Sequence, residues 1–395
     1  MDILADSLSF IKPSPTMAVT QRAAELRAQG VDILSLSAGE PDFPTPDHIV
    51  EAAKRALDEG DTRYTPAIGT PQLRSAVAAQ STAVRGVPCD TDRVIITVGA
   101  KHAVSEFFQA VLNPGDEVIV PAPYWVSYPD QVRLFGGVPV IAQTSQEHGF
   151  LLSKEEFQRQ VTPKTKVLVL NTPNNPTGAV YPGELLAELA ETAAAQGVIV
   201  LCDEVYRDLV YGGHSHVSPL SAVKPELRDR IFVIDGVSKS HAMTGWRIGW
   251  GIGHPEIITG MAKVQSQSTS NPSSISQAAA LAAVEGKAAY RKKWNKEYAK
   301  RRNTLCKGLG AMDGVSCPLP DGAFYAFPSV KGVLSRMGDG ATDVTLSTYL
   351  LEEARVAVVP GSAFGAQGHI RLAYAVSLEV VEEAVRRIKA ALNRL

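Results

Sequence analysis

Residues 231–250 read IFVIDGVSKSHAMTGWRIGW. The opening IFVIDGVS is an apolar, β-branched run that breaks into a Gly/Ser turn, the pattern of a buried strand. MTGWRIGWGIG (243–253) follows as a second apolar run with a single charge, Arg247. Between them stands Lys239. Most lysines and arginines simply face solvent, and this chain has 39 of them to place. A cation set between two buried runs needs either a partner or a chemical task.

Upstream the same texture repeats. VIITV (94–98) precedes AKHAVSEFFQAVL, DEVIVP (116–121) precedes WVSYPDQVRLFG, and VPVIAQT (138–144) precedes KEEFQRQV. KVLVLN (166–171) precedes ELLAELAETAAAQG, and VIVLCDEVY (198–206) leads on to residue 231. Near-continuous apolar strands separated by helical segments predict an α/β fold whose mostly parallel sheet is covered on both faces. From about Tyr290 the texture changes. YRKKWNKEYAKRRNTLCKGL predicts a long helix whose Lys and Arg form a solvated face. Short strands in GAFYAFP, VAVVPG and HIRLAYAV then alternate with helices, the pattern of a smaller α+β unit. KPSPTMAVTQRAAELRAQG (12–30) predicts a helix that joins it. The expected division is a large domain, 48–295, and a small domain made of 1–47 and 296–395.

A chain of 395 residues exceeds what one core usually serves, consistent with two domains. A net charge of −2 with 20% charged residues gives no electrostatic case for nucleic acid or membrane. Four cysteines without a CxxC pair argue against a disulfide framework or a zinc site. The amino-terminal residues lack a signal-peptide pattern, and a cytoplasmic location is expected. GWGIGH (249–254) is not GxGxxG, so the nicotinamide fingerprint fails. HSH (214–216) in a Gly-rich stretch reads as a surface loop.

Ligand sites in open α/β sheets lie beyond the carboxyl ends of the strands. There the sequence offers Gly99-Ala100-Lys101 at a helix start, suited to a phosphate or to a plain turn. It also offers Asn171 running into NNPTG (174–178), then Asp203, Lys239 and Arg247. Asp203 is either a helix cap or a buried anion with a cationic partner. Pyridoxal phosphate uses all of these groups: a lysine for its aldehyde, a carboxylate for its ring nitrogen, amides and a cation for its phosphate. Its ring face wants an aromatic, and Trp125 in APYWVSYP follows the next strand.

NTPNNPTG, CDEVY, the SK turn and GWRIGW together resemble the class I aminotransferases of fold type I, from GEPDF (39–43) to HIRLAY (369–374). The similarity is greatest to the bacterial aspartate and aspartate/prephenate aminotransferase subgroup, whose KPS-x-T segment matches Lys12 to Thr16. The resemblance implies these roles. Lys239 would bind the cofactor and move the proton at the substrate Cα, with Asp203 on the ring nitrogen. Tyr206 and Asn175 would bond the phenolic oxygen, and Trp125 would stack on the ring. Gly99, Ala100, Lys101 and Arg247 would hold the phosphate, joined by Tyr64 from the neighbouring subunit of a homodimer. Arg371 would grip the substrate α-carboxylate, with Gly39, Trp125 and Asn175 also at the substrate. Many relatives carry a serine where this chain has Gly236, and Ser238 is the expected substitute. Lys101 and Thr16, with Lys12 behind them, are the candidates for a distal carboxylate. The expected activity is transfer of the amino group from L-aspartate to 2-oxoglutarate. A prephenate or aromatic aminotransferase is the alternative, and a lyase on the same scaffold is a further one.

Overall fold

The structure, a computed structural model, describes residues 3, 6–11 and 15–395, with side chains at 3, 8–11 and from 17 onward. Its strands are β1 (Leu34–Ser35), β2 (Val94–Thr97), β3 (Glu117–Ala122), β4 (Val138–Gln143), β5 (Thr165–Asn171) and β6 (Ile199–Asp203). They continue as β7 (Ile231–Gly236), β8 (Gly249–Ile252), β9 (Tyr325–Ala326), β10 (Val356–Ala357), β11 (Val359–Pro360) and β12 (Ile370–Ala373). Seven of them form one sheet in the order β2-β8-β7-β6-β5-β3-β4. All its pairings are parallel except the two made by β8. Every residue of β2, β6, β7 and β8 is buried, as expected of strands covered on both faces.

Register brings the functional ends together. Asn171 pairs with Asp203 and Asp203 with Ile234, so the carboxyl ends of β5, β6 and β7 are level. Because β8 runs the other way, its first residue lies at that same edge. Gly249 is opposite both Thr97 of β2 and Gly236 of β7. The segments that follow β2 and β7 and precede β8 therefore meet at one point.

A separate apolar cluster surrounds the small sheet β11-β12-β9 and includes Tyr298, Phe324, Leu346 and Leu372. β1 pairs with β10, so residues near both ends of the chain share this unit. The charged helix Ala289–Gly310 departs from the sequence expectation. Arg301 and Arg302 are buried rather than solvated. Arg301 pairs with Asp42 at 2.8 Å, and Arg302 donates to the Pro320 carbonyl at 2.9 Å while lying over the Tyr211 ring. The HSH segment is a loop with His214 and Ser215 exposed, as expected, and departs only at its last residue. The His216 side chain is buried, 3.3 Å from Glu204. Among the described residues no helix is long and apolar enough to cross a membrane.

Candidate active site

A cavity of about 280 Å³ opens at the level strand ends. Lys239, Asp203, Tyr206, Asn175, Trp125, Ala100, Lys101, Ser238, Arg247, Gly39 and Arg371 all line it. Gly99 lies just behind, against Arg247. Tyr64 is 90% exposed and outside the cavity. Lys12 and the Thr16 side chain lie outside the described residues.

Lys239 follows β7 through the Ser238 turn, and its ammonium donates to the Gly39 carbonyl at 2.6 Å. Burial pushes it down to about 8, with Glu40 opposing and Arg371 assisting. The amine is therefore mostly protonated at pH 7 and mostly neutral above pH 8, where an ordinary lysine remains charged. Competitive labelling of the cofactor-free protein with a small acylating reagent should give Lys239 a titration midpoint near 8. A midpoint near that of surface lysines, about 10.4, would contradict the buried setting.

Asp203 ends β6 and is 5% exposed. Among the described residues no lysine or arginine forms an ion pair with it. Tyr128 donates its hydroxyl to Oδ2 at 2.7 Å and the Val205 amide donates to Oδ1 at 3.2 Å. The two carboxylates beside it do have cations. Arg85 lies 2.7 Å from Glu204 and 3.2 Å from Asp235, and Arg207 lies 2.6 Å from Asp235. Burial raises Asp203 to about 6 against the help of Tyr128. Such a carboxylate still has charge to offer a cation arriving in the cavity.

The anion cradle is built from crowding. Gly99 caps the helix Ala100–Val111 at φ 85°, with no side-chain cap on the first amides. An added Cβ there would meet the Arg247 guanidinium at 2.6 Å, and one at Gly249 would meet the Ala100 nitrogen at 2.3 Å. Arg247 itself holds φ 57°, a conformation non-glycine residues rarely adopt and which clusters at functional sites. Its Nη1 donates to the Thr244 carbonyl at 2.8 Å. At Gly236 a Cβ would fall 3.1 Å from the Gly249 Cα, so a serine there requires the adjoining strand to give by a few tenths of an ångström. Ser238, two residues on, lines the cavity instead.

Arg371, 2% exposed on β12, donates Nη1 to Asn175 Oδ1 at 3.1 Å and Nη2 to the Ser37 carbonyl at 2.6 Å. Its Nε has no hydrogen-bond partner among the described residues. Lys101 sits 5.1 Å from the Trp125 ring centroid. The sequence reading missed Tyr128, Tyr325 and Met17. The Tyr325 hydroxyl lies 2.7 Å from that of Tyr206, and its ring lies 4.6 Å from the Arg371 guanidinium. Met17 lines the cavity mouth. No cluster of three or more His, Cys, Asp or Glu able to hold a metal occurs among the described residues.

A sequence-family model, Aminotransferase class I and II, matches residues 31–388. The chain belongs to this family. It is 45% identical to an aspartate aminotransferase of Geobacillus stearothermophilus, over 98% of each chain. It is 44% identical to a probable aspartate/prephenate aminotransferase of Aquifex aeolicus, over 99% of each. The aspartate aminotransferase of Thermus thermophilus solved with maleate superposes with a TM-score of 0.93, at 44% identity, covering 99% of this chain and 100% of that one. The chain is thus an aminotransferase of fold type I.

Proposed function

We propose that this aminotransferase binds pyridoxal phosphate and transfers the amino group of L-aspartate to 2-oxoglutarate, giving oxaloacetate and L-glutamate. One observation carries the reading. A lysine whose pKa burial lowers, a buried carboxylate that no lysine or arginine pairs with among the described residues, and an arginine whose Nε has no hydrogen-bond partner among them face one cavity beside an anion cradle. The donor set fits the cofactor. The Ala100 and Lys101 amides, Ser238 and Arg247 would hold its phosphate, Asp203 its ring nitrogen, Tyr206 and Asn175 its phenolic oxygen, and Trp125 its face. When bound, pyridoxal phosphate supplies an aldehyde for the lysine and a ring that takes up electrons from the substrate Cα.

The chain's own groups do the rest. Lys239, neutral at little cost in this setting, would take the Cα proton and return it to the aldehyde-derived carbon of the cofactor, on the far side of the amino nitrogen. Asp203 keeps its charge once a protonated nitrogen stands against it, and Tyr128 holds its other oxygen. Arg371 orients the α-carboxylate in a fork that lysine cannot imitate. Lys101 is the cation placed for a distal carboxylate, and the maleate held by the Thermus relative is likewise a dicarboxylate. Residues 1–47 and 296–395 act as a small domain that closes over the substrate and excludes water. Its strand β12 carries Arg371. The working form is a homodimer in which the exposed Tyr64 reaches the neighbouring cradle. Four free cysteines fit a cytoplasmic location.

The test is the absorption spectrum of the purified protein as L-aspartate is added without any keto acid. The protein-bound cofactor band near the visible edge should give way to the pyridoxamine form as oxaloacetate appears. A band unmoved by aspartate would overturn the dicarboxylate reading. Prephenate is the second acceptor to compare, because the Aquifex relative is named for both activities.

A further inference from the structure

The helix whose first amides form the cradle carries a buried pair that the reaction does not use. Glu106 is 1% exposed, and neither carboxyl oxygen has a hydrogen-bond partner among the described residues. One turn earlier, His102 brings Nε2 to 3.3 Å from Glu106 Oε1. The other ring nitrogen, Nδ1, accepts from the Val98 amide at 3.4 Å. The Val98 carbonyl in turn accepts from Arg247 Nη2 at 3.4 Å.

These contacts fix the protons. A nitrogen that accepts from an amide carries no hydrogen, so His102 is the neutral tautomer with its proton on Nε2. An ionised Glu106 would then be a buried anion with no counter-charge, which is costly. The proton therefore resides on Glu106, and the pair is neutral. Its placement has a purpose. Gly99 provides no capping side chain, and His102, three residues on, reaches back to the turn as the acid of a capping box does. The outward amides stay open for the phosphate while the turn is held from inside.

We propose that His102 and Glu106 are a positioning pair for the cofactor phosphate: His102 holds the Val98–Lys101 turn to which Arg247 bonds, and Glu106, by keeping its proton, spares the cradle a nearby negative charge. The inference rests on the pyridoxal phosphate reading above. Burial raises Glu106 to about 8 and lowers His102, with Arg247 as the charge acting on the ring. Burial alone acts on Glu106. The charged groups on the elements packed against it are Asp130 and Arg133 of Ser127–Leu134, Glu256 and Lys263 of Pro255–Ser268 and Asp235 of β7, with Lys101 on its own helix, and among the described residues none of them forms an ion pair with Glu106. As pH rises through about 8, Glu106 gains a negative charge roughly 9 Å along the helix from its first residue. That charge opposes the phosphate.

The test is cofactor release from the holoenzyme after dilution, followed by loss of the bound absorbance between pH 6.5 and 9.5. Lys239 and Lys101 titrate in parent and variants alike, so their contribution cancels in the comparison. Glu106→Gln, a fixed copy of the neutral acid, should match the parent at pH 7 and release cofactor about fivefold more slowly at pH 9. His102→Phe should release it about tenfold faster at both. The affinity of the cofactor-free protein for inorganic phosphate should follow the same pattern. Glu106→Gln failing as badly as His102→Phe at pH 7 would overturn the inference by making the anion the working form. Coincident parent and Glu106→Gln curves up to pH 9.5 would overturn it as well. A parent that binds no cofactor at all would instead overturn the pyridoxal phosphate reading.

Discussion

Lys239→Ala is expected to lower turnover by at least about 10³-fold, within the range that a positioned acid–base group supplies. The lysine stands at the end of β7 and has no understudy. The other lysine lining the cavity, Lys101, is drawn over the Trp125 ring. The variant should still hold the cofactor, because the cradle, Asp203 and Trp125 are untouched. Borohydride reduction should fix the cofactor to the parent protein and not to the variant. Turnover within tenfold of the parent would remove Lys239 from the chemistry and the whole scheme with it.

Arg371→Ala is the second large effect. Removing one partner of a buried charge contact costs roughly 2–5 kcal/mol, which corresponds to a loss of about 30- to 5000-fold in kcat/KM for aspartate. The substitution also strands Asn175 Oδ1 and the Ser37 carbonyl, which now accept from the guanidinium. Arg371→Lys should recover only part of the loss, since one ammonium cannot serve a carboxylate and both of these acceptors. The bound cofactor spectrum should remain. Catalytic efficiency equal to the parent's would show that the α-carboxylate is gripped elsewhere.

Much of the fold and site is legible in the sequence. Apolar runs ending in Asn171, Asp203 and the Ser238-Lys239 turn announce buried strands and what they present, because a polar side chain that closes such a run is carried to the edge of the sheet where ligands bind. Tyr128 and Tyr325 gave no such signal, as a tyrosine among apolar neighbours is ordinary core until its hydroxyl is placed. The hydroxyl and amide that hold Asp203 were hidden for a related reason. A phenol and an amide satisfy a carboxylate with no charge, and hydroxyls do not stand out in a sequence. Arg301 and Arg302 look like a solvated face because burial of a guanidinium depends on remote partners, here Asp42 and the Pro320 carbonyl. The dyad behind the cradle was likewise hidden, since an i,i+4 His and Glu on a helix reads as a surface pair.

The bond from Arg371 to the Ser37 carbonyl joins residues 334 positions apart. On a ribosome Ser37 emerges long before Arg371 is made. The sheet strands through β8 can pair before residue 371 is made, and the Arg371–Ser37 bond cannot. β1 likewise waits for β10. Contacts of such long range slow folding. The Arg371 contact is therefore among the later ones to form, and a premature stop upstream of residue 371 leaves a chain that has the cradle residues and lacks Arg371.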